Sequence, residues 1–293
     1  MTLLRACVLV LCASLVLCAG AEEIDLDVAP GVPGRLLLPD DVPPRAAVLL
    51  LHGWCSQMDE VGGLYRDLAA GLAARGIASL RFDFSGEGPN ADYVVTSTYE
   101  RRVAEAEAAR ALLRERVPDV PLGVNGFSLG GLVAMSLMGR HPDWFDVAVL
   151  WSSAARMDFT SGDPALVGAA RAALRDGRAV YRTWTDITLT REFLVSYLGV
   201  DASVGLVAYP GSLLAIRGTA DYLPALDAQW IAATPGEDDA VILIDGADHV
   251  FGVLEAPRPA HGERVLEHTI SWFDGRLRGA GARPSYGSKA SGW

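Results

Sequence analysis

Short, continuously apolar runs alternate along the chain with longer stretches of helical periodicity, and that alternation leaves few folds open. The runs are "GRLLLP" (34–39), "RAAVLLLHG" (45–53), "IASLRFDF" (77–84), "VPLGVNGF" (120–127), "FDVAVLWSSA" (145–154), "SLLAIRG" (212–218) and "AVILIDG" (240–246). Strands that are apolar at nearly every position are buried on both faces, as in a parallel sheet with helices above and below. Helical patterns fall between them at 60–75, where Leu64, Leu68 and Leu72 recur every fourth residue, and at 98–116, 130–141 and 224–234. A last one, 261–277, sets Val265, Ile270, Trp272, Phe273 and Leu277 along one broad face. The pattern predicts an α/β fold on a mainly parallel sheet, and 51% hydrophobic residues in a chain of 293 suffice for a sizeable core.

One interval breaks the rhythm. Between Arg156 and Pro210 no run reads as a buried strand; a helical pattern rich in alanine and arginine (164–177) is followed by "AVYRTWTDITLTREFLVSYLGVD" (179–201). About fifty-five residues are too many for an ordinary connection, so this interval is expected to fold as a small insertion above the sheet. The main domain is expected over 22–279. Residues 280–293, small, polar and turn-rich, read as a disordered tail.

The first residues, "MTLLRACVLVLCASLVLCAGAEE", carry Arg5, an apolar stretch from Ala6 to Cys18, and then Ala19, Gly20 and Ala21. That is the pattern of a secretory signal cleaved after Ala21, with an apolar stretch short for a membrane span. A lipoprotein signal at Cys18 is disfavoured by Leu17, which stands where a small residue is preferred. The expected location is secreted or periplasmic, with no stable membrane insertion after cleavage. Cleavage would remove Cys7, Cys12 and Cys18 and leave Cys55 alone, so no internal disulfide is expected. Losing Arg5 would leave 24 basic against 36 acidic residues, a net charge of −12. Such a surface repels phosphate backbones, and nucleic acid is not an expected partner.

The sharpest local signal is "NGFSLGG" (125–131), in which "GFSLG" fits GxSxG. In that motif a serine is held on a strained turn from strand to helix, and the glycines admit neighbouring backbone. The context is right, with "VPLGV" upstream and "LVAMSLMGRH" downstream. A serine hydroxyl is a poor nucleophile near neutrality; it needs a general base, and that base needs an anion to fix its tautomer. Of five histidines, His249 alone directly follows a late strand, in "VILIDGADHVFG". His141 ends the helix after the serine, His261 and His268 belong to the final helix, and His52 is expected to order its own loop. Asp221, just past the run 212–218, is placed to reach the His249 loop. Asp245 and Asp248 are its rivals, although Asp248 adjoins His249 and Asp245 reads as a turn residue. The order Ser128, Asp221, His249 is that of one widespread group of serine hydrolases. Oxyanion donors are expected from the backbone N–H of Leu129 and, in "LLLHGWCS" (49–56), of Trp54. Cys55 in the same loop lacks a histidine in the order its own chemistry would need.

Together "HGW", "RFDFSGEG", "GFSLGG", "IRGTADYLP" and "GADHVF" resemble the α/β-hydrolase superfamily, and within it are similar to cinnamoyl or feruloyl esterase-like and monoacylglycerol lipase-like enzymes. The likeness covers about 34–277. It implies a serine hydrolase with Ser128, Asp221 and His249 as its triad and Trp54 and Leu129 as its oxyanion donors. It also implies that the insertion is a cap whose residues choose the acyl group, with Tyr181, Trp184, Phe193 and Tyr197 either lining an aromatic-accepting pocket or packing the cap onto the core. Glu87 and Pro89 stand where relatives carry a GHG-like turn followed by serine, which leaves the shape of that loop open. No histidine or carboxylate cluster shows metal-ligand spacing and no cofactor is expected. The expected reaction is cleavage of small or medium-sized carboxylic esters through an acyl-enzyme. A peptidase or amidase of the same fold, and a ligand-binding protein that has lost the chemistry, are the alternatives. The sequence leaves oligomeric state open.

Overall fold

The computed structural model describes residues 22–277 apart from 41, 90, 161, 237 and 258. The expected signal (1–21) and tail (280–293) lie outside the described residues. Eleven strands are present among these: β1 Glu22–Ala29, β2 Val32–Leu38, β3 Ala46–Leu51, β4 Ile77–Phe82, β5 Val94–Val95, β6 Leu122–Phe127, β7 Val147–Trp151, β8 Arg178–Arg182, β9 Asp186–Thr190, β10 Ser212–Gly218 and β11 Ala240–Ile244. The α-helices are α1 Leu64–Ala73, α2 Tyr99–Arg116, α3 Leu129–Arg140, α4 Pro164–Asp176, α5 Arg191–Ser196, α6 Asp227–Ala233 and α7 His261–Arg276. Eight strands form the main sheet in the order β1-β2-β4-β3-β6-β7-β10-β11, antiparallel from β1 through β4 and parallel from β4 to β11.

Strand β3 shows why the apolar runs are continuous. Ala47, Leu49 and Leu51 pack into a cluster with Val103 and Leu113 of α2 and Leu132 and Val133 of α3. The alternate residues Ala46, Val48 and Leu50 join Leu64, Leu68 and Leu72 of α1 and Val265, Trp272 and Phe273 of α7 on the other face. Each face of the sheet thus has its own apolar layer, and burying a Leu-sized side chain there contributes about 2 kcal/mol. The α/β-hydrolase architecture with a mainly parallel sheet is the fold of this chain.

Several boundaries differ from the apolar periodicity for identifiable reasons. The pattern at 60–75 divides into a 3-10 turn, Val61–Gly63, and α1, because Gly62 and Gly63 both take positive φ (66° and 80°). The run 145–154 stops being strand at Trp151, before Ser152 at φ 40°. Strand β1, "EEIDLDVA", pairs antiparallel with β2 and was not visible as an apolar run because its polar residues face solvent.

Residues 156–210 contain α4, β8, β9, α5 and a 3-10 helix, Ala202–Ala208. Strands β8 and β9 form an antiparallel hairpin, and β5 pairs with β9 to make a separate three-stranded sheet. They escaped the apolar pattern because only every second residue is inward: Ile187 and Leu189 are buried and Ala179 and Tyr181 partly so, while Arg178, Val180, Arg182 and Asp186 face solvent. No helix among the described residues is long and apolar enough to cross a membrane.

Candidate active site

Ser128, Asp221 and His249 follow the C-terminal ends of three parallel strands, β6, β10 and β11, where ligand sites in open α/β sheets form. Ser128 has φ 52° and ψ −115°, a conformation costly for a residue with a side chain, and α3 begins at the next residue. The turn is held from all sides. Its N–H donates to the Trp151 carbonyl at 2.9 Å, and its carbonyl accepts from Gly131 at 3.0 Å and Ala154 at 3.2 Å. Two of the motif's glycines are dictated by contact: a Cβ on Gly126 would lie 2.5 Å from the Gly130 carbonyl oxygen, and one on Gly130 would lie 2.0 Å from that of Leu51.

The structure brings the three expected side chains together. His249 Nε2 lies 3.1 Å from Ser128 Oγ, and its Nδ1 lies 2.9 Å from Asp221 Oδ1. An ionised Asp221 only accepts hydrogen bonds, so Nδ1 carries the proton and Nε2 presents its lone pair to the serine hydroxyl. Burial pushes the Asp221 carboxyl up, but the hydrogen bond from His249, the Leu223 N–H and the Arg217 guanidinium outweigh it and hold the group below the usual carboxylate range. Phe127 and Tyr222 flank the imidazole, with ring centroids 5.2 and 4.6 Å away. The rival carboxylates are engaged elsewhere. Asp248 accepts from the N–H groups of Val250 and Gly252, and Asp245 accepts from the Thr219 hydroxyl.

The loop after β3 abuts the serine: a Cβ on Gly53 would lie 3.4 Å from that of Ser128. Its peptide planes are fixed by buried side chains. His52 Nε2 accepts from the Phe84 N–H at 3.0 Å, so Nδ1 carries the proton and donates to the Gly53 carbonyl at 2.7 Å. Burial, with repulsion from Arg102, pushes His52 down to about 3, which keeps that ring neutral. In a trans peptide C=O and N–H point in opposite directions, so anchoring the Gly53 carbonyl on His52 turns the Trp54 N–H away from that ring. Leu129 is the first residue of α3, where a backbone N–H has no intrahelical partner. Glu60, 1% exposed and at φ 59°, closes the loop, accepting from the Gly53 N–H at 2.7 Å, the Ser56 hydroxyl at 2.5 Å and the Val61 N–H at 3.1 Å.

The loop left open by Glu87 and Pro89 has a definite arrangement. The Glu87 side chain is buried, pairs with the buried guanidinium of Arg102 and lies 3.6 Å from His52 Nδ1. Glu60 did not stand out in the sequence, and Glu87 did so only as a departure from the GHG-like turn of relatives, since an isolated glutamate in a polar loop carries no burial signal. Cys55 is partly buried, and desolvation pushes its thiol up, away from the thiolate a nucleophile would need. His141 stacks on Trp144 with centroids 3.6 Å apart. Of the four aromatics named as candidate pocket residues in the insertion, Phe193 and Tyr197 are buried, Tyr181 donates to Asp163 at 2.8 Å, and Trp184 is 67% exposed against Tyr93. Phe193 stacks on Trp54.

The family described as serine aminopeptidase, S33, matches residues 42–194. The chain is 31% identical over 123 residues to esterase EstD of Thermotoga maritima and 32% over 118 residues to putative esterase NocK of Nocardia uniformis. These stretches cover 41% and 39% of this chain but only 30% and 33% of those two proteins, about a third of their length. Mouse monoglyceride lipase is 23% identical over 266 residues, covering 82% of this chain and 86% of the lipase. Among solved structures, Est1E from Butyrivibrio proteoclasticus with ferulic acid bound superposes with a TM-score of 0.69 at 16% identity, covering 87% of this chain and 99% of its own. The dienelactone hydrolase of Anabaena variabilis gives 0.60 at 18% identity, covering 88% and 99%. Both likenesses concern the fold.

Proposed function

The chain belongs to the serine aminopeptidase S33 family of α/β hydrolases, and on that premise we propose that it is a serine esterase acting on small carboxylic esters through an acyl-enzyme. The observation that carries this reading is the continuous path from Ser128 Oγ to His249 Nε2 at 3.1 Å and from His249 Nδ1 to Asp221 at 2.9 Å. Ser128 Oγ attacks the ester carbonyl carbon while its proton passes to His249 Nε2. The carbonyl oxygen becomes an oxyanion held by the N–H groups of Trp54 and Leu129. Collapse expels the alcohol, which takes the proton from His249 and leaves an acyl group on Ser128. Water then repeats the sequence, giving its proton to His249 and releasing the acid. Asp221 keeps the imidazole in the required tautomer and balances its transient positive charge.

Esters are favoured by the kind of relatives found, two esterases and a lipase, with Est1E and dienelactone hydrolase as fold neighbours. The family's own description supports a second reading, an aminopeptidase, which would need an anion to receive a substrate ammonium. Glu60 and Glu87, the buried carboxylates behind the Trp54 loop, already serve Gly53, Ser56, Val61 and Arg102. The two readings separate on p-nitrophenyl acetate and butyrate against aminoacyl-p-nitroanilides. Turnover of the esters that disappears in Ser128→Ala supports the esterase, and turnover of the anilides alone replaces it.

The inserted segment 156–210 is proposed to act as a cap over this site, reached through Phe193. Export with cleavage after Ala21 is likewise part of the proposal; the N-terminal residue of protein recovered from its host checks it.

A further inference from the structure

The buried charges behind the site do not end at Asp221. Arg217, at the penultimate position of β10 and 1% exposed, donates from Nη1 to Asp221 Oδ2 at 2.7 Å, the oxygen that His249 leaves unused. Its Nε donates to Asp227 Oδ2, and its Nη2 donates to Asp227 Oδ1 at 3.3 Å and to the Ser153 carbonyl at 2.6 Å. Asp227 opens α6 and is 2% exposed. One guanidinium therefore joins the acid loop, the start of α6 and the loop after β7, and the last of these touches Ser128 through the Ala154 N–H.

Charge counting gives this arrangement a chemical consequence. Two ionised carboxylates and one guanidinium leave the buried group at −1 while His249 is neutral. It becomes neutral overall only when His249 has taken up a proton, the state in which the oxyanion forms. We propose that Arg217 and Asp227 are positioning residues that set how readily His249 takes and returns the Ser128 proton, Arg217 by drawing on Asp221 and Asp227 by limiting that pull. This rests on the esterase reading for its catalytic meaning, while the charge coupling itself does not require turnover.

The surroundings leave these groups in control. From the loop after β10, Tyr222, 77% exposed, sets its ring 4.6 Å from the imidazole and carries a phenol that is uncharged over the pH range of the test. Trp230 of α6 packs its ring 6.0 Å from the Arg217 guanidinium, and Phe127 of β6 is uncharged. On the His249 loop, Asp248 and Asp245 are tied to their own backbone and hydroxyl partners.

The test uses Arg217→Met, Asp227→Asn and the double variant Arg217→Met/Asp227→Leu in the full-length protein. The titration of the His249 ring is followed by NMR and the acid limb of kcat/KM is measured on a p-nitrophenyl ester. Removing the cation should move both midpoints up by about one pH unit, and removing the anion should move them down by a similar amount. The double variant should return close to the parent, since replacing a buried ion pair by apolar residues is often tolerated. If Arg217→Met fails to fold, Asp227→Asn and the double variant still carry the test. Midpoints that stay fixed, or that move the same way in both single variants, reduce the pair to a structural brace and overturn the proposal. A parent protein that cleaves no ester, but whose ring titrates as described, overturns the esterase reading alone.

Discussion

The indole of Trp54 lies flat against the ring of Phe193, with centroids 5.9 Å apart and planes 6° from parallel. This contact joins the loop proposed to hold the oxyanion to the inserted segment, so the two should move together. Trp54→Ala removes the ring and keeps the backbone N–H. We expect kcat on p-nitrophenyl acetate to stay within about threefold, KM for longer acyl chains to rise, and stability to fall by about 2 kcal/mol in urea denaturation.

The glycines of the serine turn make a sharper case. Gly130→Ala would drive a Cβ to 2.0 Å from the Leu51 carbonyl oxygen and 2.6 Å from that of His52, forcing α3 away from the loop that follows β3. A loss of at least about 3 kcal/mol in stability is expected, and in any soluble protein kcat should drop on the order of 100-fold because the serine is displaced. Gly168, inside α4 with nothing within 4 Å of an added Cβ, is the control. Gly168→Ala should raise the melting temperature, by roughly 0.5–1 kcal/mol in stability.

How much of this was legible follows the physics of each element. The parallel strands read clearly because burial on two faces leaves a continuous apolar record, as in Val147–Trp151. The hairpin of β8 and β9 did not, because half of each short strand faces outward, and neither did β1 with its acidic residues at the sheet edge. The meeting of Ser128, His249 and Asp221 was legible through motif and order, which fix where a side chain sits along a sheet edge, while the oxyanion roles expected of Trp54 and Leu129 belong to the proposal. The roles of Arg217, Asp227, Glu60 and Glu87 were not legible, because they rest mostly on partners 4 to 64 positions away that no local pattern announces. An arginine inside an apolar strand run, four residues before an aspartate expected to be catalytic, was the one available hint.

Asp221→Asn should separate orientation from acid–base chemistry. An amide can donate to His249 Nδ1 and favour the tautomer that points a proton at Ser128, so kcat should fall about 10⁴-fold while KM changes little, and the melting temperature should drop because either the Leu223 N–H or Arg217 Nη1 loses its acceptor. Steady-state kinetics on a p-nitrophenyl ester with a thermal melt checks this.

Glu60 gives the stability a pH signature. Burial raises its carboxyl to about 7, against an ordinary value of 4.5, and the donors from Ser56, Gly53 and Val61 only partly offset that. A group raised on folding stabilises fully below its unfolded value, and the contribution is lost as pH rises through the folded one. Between pH 4.5 and about 8 this amounts to on the order of 3 kcal/mol. Glu60→Gln should flatten the dependence over that window. Urea midpoints measured at intervals across it compare the two proteins, and identical slopes would remove Glu60 as the source.

The central claim is that Ser128 is a nucleophile made reactive by His249 and Asp221. Its most direct test is the mass of the protein after exposure to a fluorophosphonate, with peptide mapping of the adduct. The account predicts one phosphonyl group per chain, located on Ser128, formed slowly in His249→Ala and absent from Ser128→Ala. Native protein that takes up no reagent, or takes it up at another residue, would contradict it.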